Sequence, residues 1–336
     1  MNRRYSKLKF VSFFILISAV ALSGCMESKS ARSTAKPRYF LTAEQTHNKF
    51  SSAIPPAIKV PSGSVIEVYT KEASDEQITV DSAVEDVVNM KSEPIHPLTG
   101  PVYVEGAEPG DILAVKLHKI ELGEYGWQAI VPGFGFLADE FSEAKLKIFN
   151  LGADKESIKF TDKISIRLKP FAGVMGVAPK TDEMLVTGPP RANGGNMDDP
   201  SLVEGTTVYF PVFVKGALFS IGDAHAVQGY GEVCGTAIEA PVRIVYEVNV
   251  IKGRKIAEPQ YETDEYYAVT GFGTTIDEAA KKATCYMVDY LAAEHGLSRA
   301  DAYMLCSLAG DLKIAEVVDV PHMLVTMHIS KDVLGM

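Results

Sequence analysis

From Tyr39 to Gly253 the apolar residues come in short runs cut by Pro and Gly, the punctuation of successive strands and turns. Ile58 to Tyr69 reads as strand, turn and strand, with Pro61-Ser62-Gly63-Ser64 at the turn. Val102 to Ile120 repeats the form around Glu108-Pro109-Gly110-Asp111, where Pro and then Gly suit the two central positions of a type II turn. Val242, Ile244, Tyr246, Val248 and Val250 share one face of an alternating segment, opposite Arg243, Glu247 and Asn249, which predicts a half-buried strand. After residue 253 the period changes. Thr275 followed by Glu278 has capping-box spacing, and Ile276, Ala279, Ala280, Ala283, Met287, Tyr290 and Leu291 keep helical spacing until Gly296. Ser298 with Asp301 opens a second helix that ends near Gly310, and Val317 to Ile329 reads as a strand pair broken by Pro321. The pattern predicts a mainly β body over residues 39–253 and a smaller α+β part over 254–336 that completes the same unit.

The 336 residues, 46% of them hydrophobic and 23% charged, suffice for a large core, and a net charge of -10 argues against a nucleic-acid partner, which needs a basic patch. The N-terminus changes the picture. Arg3, Arg4, Lys7 and Lys9 precede an apolar run from Phe10 to Leu22, too short for the ~20 residues of a spanning helix. Leu22-Ser23-Gly24-Cys25 then looks like a bacterial lipobox. Residues 1–24 read as a lipoprotein signal peptide, Cys25 as the lipidated first residue of an exported, membrane-anchored protein, and residues 25–38 as a polar tether. Of the four cysteines that leaves Cys234, Cys285 and Cys306, as buried thiols or with one Cys285–Cys306 bridge.

Candidate chemistry gathers where glycines meet acids and histidines: His96-Pro97-Leu98-Thr99-Gly100-Pro101 leading to Glu105, Asn193-Gly194-Gly195-Asn196-Met197-Asp198-Asp199, and Gly222-Asp223-Ala224-His225 running on to Glu239. Two residues apart on an extended chain, Asp223 and His225 project to one face, which either makes a local Asp–His hydrogen bond or holds a divalent ion. Asp, Glu and His are ligands for zinc in a site with an open position. Glu105 and Glu239 lie among apolar neighbours, where a carboxylate needs a partner or serves as a base with a raised pKa. His96 beside Pro97 either caps a turn or joins a site. Cys234 has no adjacent base to activate it, and no G-x-S-x-G elbow is present.

The run His96 to Asp111, the block Gly194-Gly195-Asn196-Met197-Asp198, the stretch Pro211 to Phe219 with Gly222-Asp223-Ala224-His225-Ala226 and Gly231 to Glu239, and Ala302-Tyr303-Met304-Leu305 with Ala309-Gly310-Asp311-Leu312 together resemble the acetamidase/formamidase family, in order and over about Tyr39 to Leu334. The resemblance implies a jelly-roll-like or β-barrel body, hydrolysis of a formamide- or acetamide-like amide to carboxylate and ammonia, a divalent metal and a homo-oligomer. On this chain the metal role falls on Asp198, Asp223 and His225, proton transfer on Glu105 and Glu239, and substrate binding on His96, Asn196 and Tyr230. The chain departs from the family pattern at Ala224 and Tyr230. A lactam hydrolase on the same scaffold and a surface binding lipoprotein without catalysis remain as alternatives.

Overall fold

A computed structural model describes residues 36–152 and 156–336; the export run, Cys25 and most of the tether lie outside them. Two sheets carry the architecture. The larger has nine strands in the order Tyr39–Leu41, Ser64–Thr70, Val242–Ile251, Ile112–Leu122, Thr207–Pro211, Gln260–Glu262, Tyr266–Gly273, Met323–Ser330 and Gly310–Glu316. The smaller runs Gly194–Asn196, Phe171–Gly176, Phe219–His225, Leu98–Glu105 and Thr46–His47, with Ile58–Pro61 also paired to Leu98–Glu105. Within them, all pairings are antiparallel except Tyr39–Leu41 with Ser64–Thr70 and Ile58–Pro61 with Leu98–Glu105.

The two strand–turn–strand segments share more than their form. In each, the first strand belongs to the small sheet and the second to the large one. Their second strands flank Val242–Ile251, whose Val242, Ile244, Tyr246 and Val248 are buried while Arg243, Glu247 and Asn249 are partly exposed, as the alternation predicts. The core lies between the sheets. Leu113, Val115, Tyr246 and Val248 from one side meet Val102, Val104, Phe219 and Ile221 from the other, and the Phe219 and Tyr246 rings make an edge contact at 5.3 Å. Burial of each such side chain is worth about 1.5–3 kcal/mol.

The helix Ile276–His295 begins where the Thr275 hydroxyl accepts from the Glu278 amide at 3.2 Å, and it ends at Gly296 in a left-handed conformation (φ 67°) that glycine adopts without strain. The return bond of the capping box goes to the Thr274 amide rather than to Thr275. With Arg299–Ala309, this helix buries Ala283, Met287, Leu291, Ala302 and Cys306 on Val269, Met327 and Ile329 of the large sheet. The C-terminal strand pair differs from expectation. It is Gly310–Glu316 with Met323–Ser330, and Val317 to His322 form the connection. Leu312 and Ile314 alternate with Asp311 and Lys313 but are exposed, on an outermost strand with no neighbour beyond it in the sheet among the described residues. Cys234, Cys285 and Cys306 are free thiols. Among the described residues no helix is long and apolar enough to cross a membrane.

Candidate active site

The strand Phe219–His225 lies beside Phe171–Gly176, with Ala172 opposite Ala224 and Val174 opposite Gly222. Between those pairs the regular geometry breaks, because Asp223 has a φ of 47°. Asp223 and His225 therefore converge through a left-handed kink and not through plain strand alternation. Gly173 permits it: a Cβ there would sit 2.3 Å from Asp198 Oδ1, 2.8 Å from His225 Cε1 and 2.9 Å from the Asp223 carbonyl. The Gly173 carbonyl accepts from the amides of Met197 and Asp198, which delivers Asp198 to the same point. Glu239 arrives on a short segment pinned on both sides. Its amide and carbonyl bond Trp127, while Ala226 and Ala240 bond Ile238 and Ala224.

Four buried ligand atoms result. His225 Nε2 lies 3.1 Å from Glu239 Oε2, 3.7 Å from Asp223 Oδ1 and 3.9 Å from Asp198 Oδ1, and none of those three oxygens has a hydrogen-bond partner. On the other edge of the ring, His225 Nδ1 donates to Gln228 Oε1 at 2.8 Å, and Gln228 Nε2 donates to the Asp198 carbonyl at 2.7 Å. In the neutral ring that bond selects the tautomer whose Nε2 lone pair faces the carboxylates, the arrangement a ligating histidine needs. Glu232 completes a second group with His225 and Glu239.

The site stores strain. His96, Asp198, Asp223 and Glu232 all have left-handed backbones, with φ of 54°, 40°, 47° and 44°. For non-glycine residues such conformations cost about 1–3 kcal/mol each and concentrate at functional positions. The electrostatics are lopsided. Burial, then the charge of Glu232, raises Asp198 well above the ordinary carboxylate range. Burial likewise raises Glu232 well above it and raises Glu239. Asp223, though buried, is held at about 2 by His96 and His225. Burial opposes a charge on His225, yet Glu239 and Asp223 hold its pKa well above the ordinary value. Four buried carboxyl groups thus crowd one imidazole, and a cation among them would favour their ionised forms.

Above the cluster lies a cavity of about 470 Å³. His96, Asn196, Asp198, Asp223, His225 and Glu239 all reach it, so most of the residues singled out in sequence come together. Asn196 Nδ2 donates to Asp319 Oδ2 at 2.7 Å, which leaves its Oδ1 buried and unpaired; His96 Nδ1 is unpaired as well. Two residues do not join. Glu105 is the last residue of its strand, where the side chain turns out to solvent, so it is neither buried nor near the cavity. Tyr230 is 43% exposed and its hydroxyl lies 2.6 Å from Ser201 Oγ, outside the cavity. The chain reverses through Gly231 and Glu232, both at positive φ, and it is Glu232 that faces inward. Ala224 is buried in the inter-sheet core. Glu232, Gln228 and Asp319 also belong to or border this cluster, and sequence reasoning did not single them out. Glu232 and Gln228 lie in the glycine-rich run after His225, which marked the segment but not the residues; Asp319 carries no local signal.

The model of the acetamidase/formamidase family matches residues 35–188 and 181–336. An acetamidase from Mycolicibacterium smegmatis is 31% identical over 288 residues, 67% of this chain and 69% of that protein. The crystal structure of a predicted acetamidase/formamidase from the thermophile Thermoanaerobacter tengcongensis superposes with a TM-score of 0.83 at 35% identity, covering 88% of this chain and 97% of that one. A gamma lactamase from Delftia acidovorans follows at TM-score 0.62 and 27% identity, over 86% and 89% of the two chains. Matched across both sheets and the whole cavity floor, the chain belongs to the acetamidase/formamidase family.

Proposed function

We propose that this protein hydrolyses a small amide to carboxylate and ammonia with the help of a divalent cation, zinc by the chemistry of its ligands. As a member of its family it is an amidohydrolase acting on carbon–nitrogen bonds other than peptide bonds. The observation that carries the metal reading is the set of orphaned oxygens, Asp198 Oδ1, Asp223 Oδ1 and Glu239 Oε2, facing the lone-pair edge of His225. Buried acceptors without donors are costly, and a cation on the two aspartates with a water beside Glu239 would satisfy them. Asp198, Asp223 and His225 would hold it, and Gln228 would keep the imidazole oriented. A bound zinc ion supplies polarisation of the amide carbonyl and acidification of water toward a pKa of ~7.

The remaining work belongs to the chain. Asn196 Oδ1 accepts from the amide nitrogen and orients the substrate. Glu239, with Oε1 held by the Ala237 amide at 2.8 Å, presents Oε2 as the base that takes a proton from water. Glu232, whose burial pushes its pKa well above the usual range, keeps its proton and gives it to the departing amine. The two carboxyl groups thus divide the acid and base roles.

Hydrolysis of a lactam is a second reading, favoured by the likeness to the gamma lactamase. Attachment by lipid at Cys25 rests on the lipobox-like Leu22-Ser23-Gly24-Cys25. Self-association is supported by exposed Tyr303, Met304, Leu308 and Leu312 beside the outermost strand Gly310–Glu316. The test of the main reading is ammonia release from linear primary amides, beside ring opening of a γ-lactam to its amino acid, for the wild type and Glu239→Gln. Release that falls by ~10²–10⁴ in the variant supports it; equal release from both removes Glu239 from the chemistry.

A further inference from the structure

The cavity has two unlike halves. Its floor is the polar cluster, while most of the remaining lining is carbon, with Val87, Met90, Ile95, Trp127, Val131 and Phe134 forming an upper wall and Ser74, Ser92 and Thr236 the polar exceptions. That wall belongs to a small separate core in which Ile78, Val87, Trp127 and Ala129 pack together. It is also chemically closed. The one polar atom of the Trp127 side chain donates to Glu72 Oε2 at 2.6 Å. The Glu72 carboxylate is further occupied by the Ser74 amide and hydroxyl at 2.9 and 2.7 Å and by the Glu76 amide at 2.5 Å. The indole therefore offers a ligand only its ring carbons. Formamide has no carbon to lay on this surface and acetamide a single methyl, yet about 470 Å³ is open, within the ~300–1,000 Å³ typical of sites for drug-sized ligands.

Resting on the amidase reading above, we propose that the preferred substrate is a primary amide whose acyl group is a hydrophobic chain or ring, seated on this wall. The floor decides which end goes where. It presents unpaired acceptors, Asn196 Oδ1 among them, that an unsubstituted NH2 group satisfies and an N-alkyl group does not. The nitrogen lies on the floor and the acyl substituent rises against Trp127, Val131 and Met90, where it displaces water from carbon.

The experiment is kcat/KM for ammonia release by the full-length protein, with zinc present, from formamide, acetamide, butanamide, hexanamide and 3-phenylpropanamide. Each methylene moved from water to the wall raises kcat/KM by roughly fourfold, so hexanamide exceeds acetamide by about 10²-fold. Val131→Asn, which puts a polar group on the wall, lowers the hexanamide-to-acetamide ratio several-fold. A kcat/KM that is highest for formamide or acetamide and falls with chain length, or a ratio that Val131→Asn leaves unchanged, overturns the proposal while amide hydrolysis stands. No release from any of the five amides defeats the amidase reading and this inference with it.

Discussion

Gly173→Ala adds one methyl group and removes no functional atom, yet it strikes the centre of the site. The new Cβ would lie 2.3 Å from Asp198 Oδ1 and 2.8 Å from His225 Cε1. Ordinary contact needs ~3.5 Å, so the carboxylate must retreat by about 1 Å. Asp198 and His225 are both almost fully buried and tied to each other through Gln228, so neither moves alone. Ligand geometry tolerates about ±0.2 Å, and a 1 Å misplacement of working groups can cost ~10²-fold in rate. Overpacking costs about 1–3 kcal/mol of stability, which leaves the fold intact. The expected variant is folded by circular dichroism, binds zinc at least tenfold more weakly by titration, and loses about 10²-fold in kcat/KM for ammonia release. A folded Gly173→Ala protein that keeps zinc affinity and kcat/KM within twofold of wild type would refute the convergence of Asp198 and His225 on one ion.

Three further outcomes follow from the same geometry. Glu232→Gln loses ~10²–10⁴-fold in kcat for ammonia release, whereas Glu105→Gln, at an exposed strand end, stays within twofold; the reverse order would restore Glu105 as the acid/base group. Gln228→Leu, which frees His225 Nδ1 and the Asp198 carbonyl, weakens zinc binding about 10–100-fold with little change in fold, as measured by competition with a chromogenic chelator. Two buried imidazoles contribute a loss of stability on acidification: burial, then the Lys313 charge, depresses His328 to about 3, and burial depresses His47 to about 4. The unfolded chain protonates both near 6.5 while the native state does not, so their contribution is full above pH 6.5 and declines as pH drops, His328 alone costing up to ~3 kcal/mol near pH 4. Urea titrations at several pH values check this, and His328→Asn should flatten the slope.

What the sequence revealed was local. The caps at Thr275 and Ser298 and the left-handed stop at Gly296 depend on neighbours three or four residues away, and they stand as read. The alternation of Val242–Ile251 survives because one face meets the core. The spacing of Asp223 and His225 pointed to a shared face, but spacing does not encode φ, and the convergence is made by a kink that depends on Gly173, fifty positions upstream. Glu105 and Glu239 look alike in sequence, each acid set among apolar residues. Only the partner segment separates them, since Glu239 is clamped between Trp127 and Ala224 while Glu105 ends its strand at a turn. Asp319 reaches the cavity across 123 residues to Asn196, a contact that no local pattern announces.

The central claim is that Asp198, Asp223 and His225 hold a cation that the reaction needs. Its most direct test is ammonia release from hexanamide and acetamide by protein stripped with a chelator and then titrated with zinc, with bound metal measured in parallel. The account predicts that activity vanishes on stripping and returns in proportion to bound zinc, reaching its maximum near one ion per chain. Full amide hydrolysis by verified metal-free protein would contradict it.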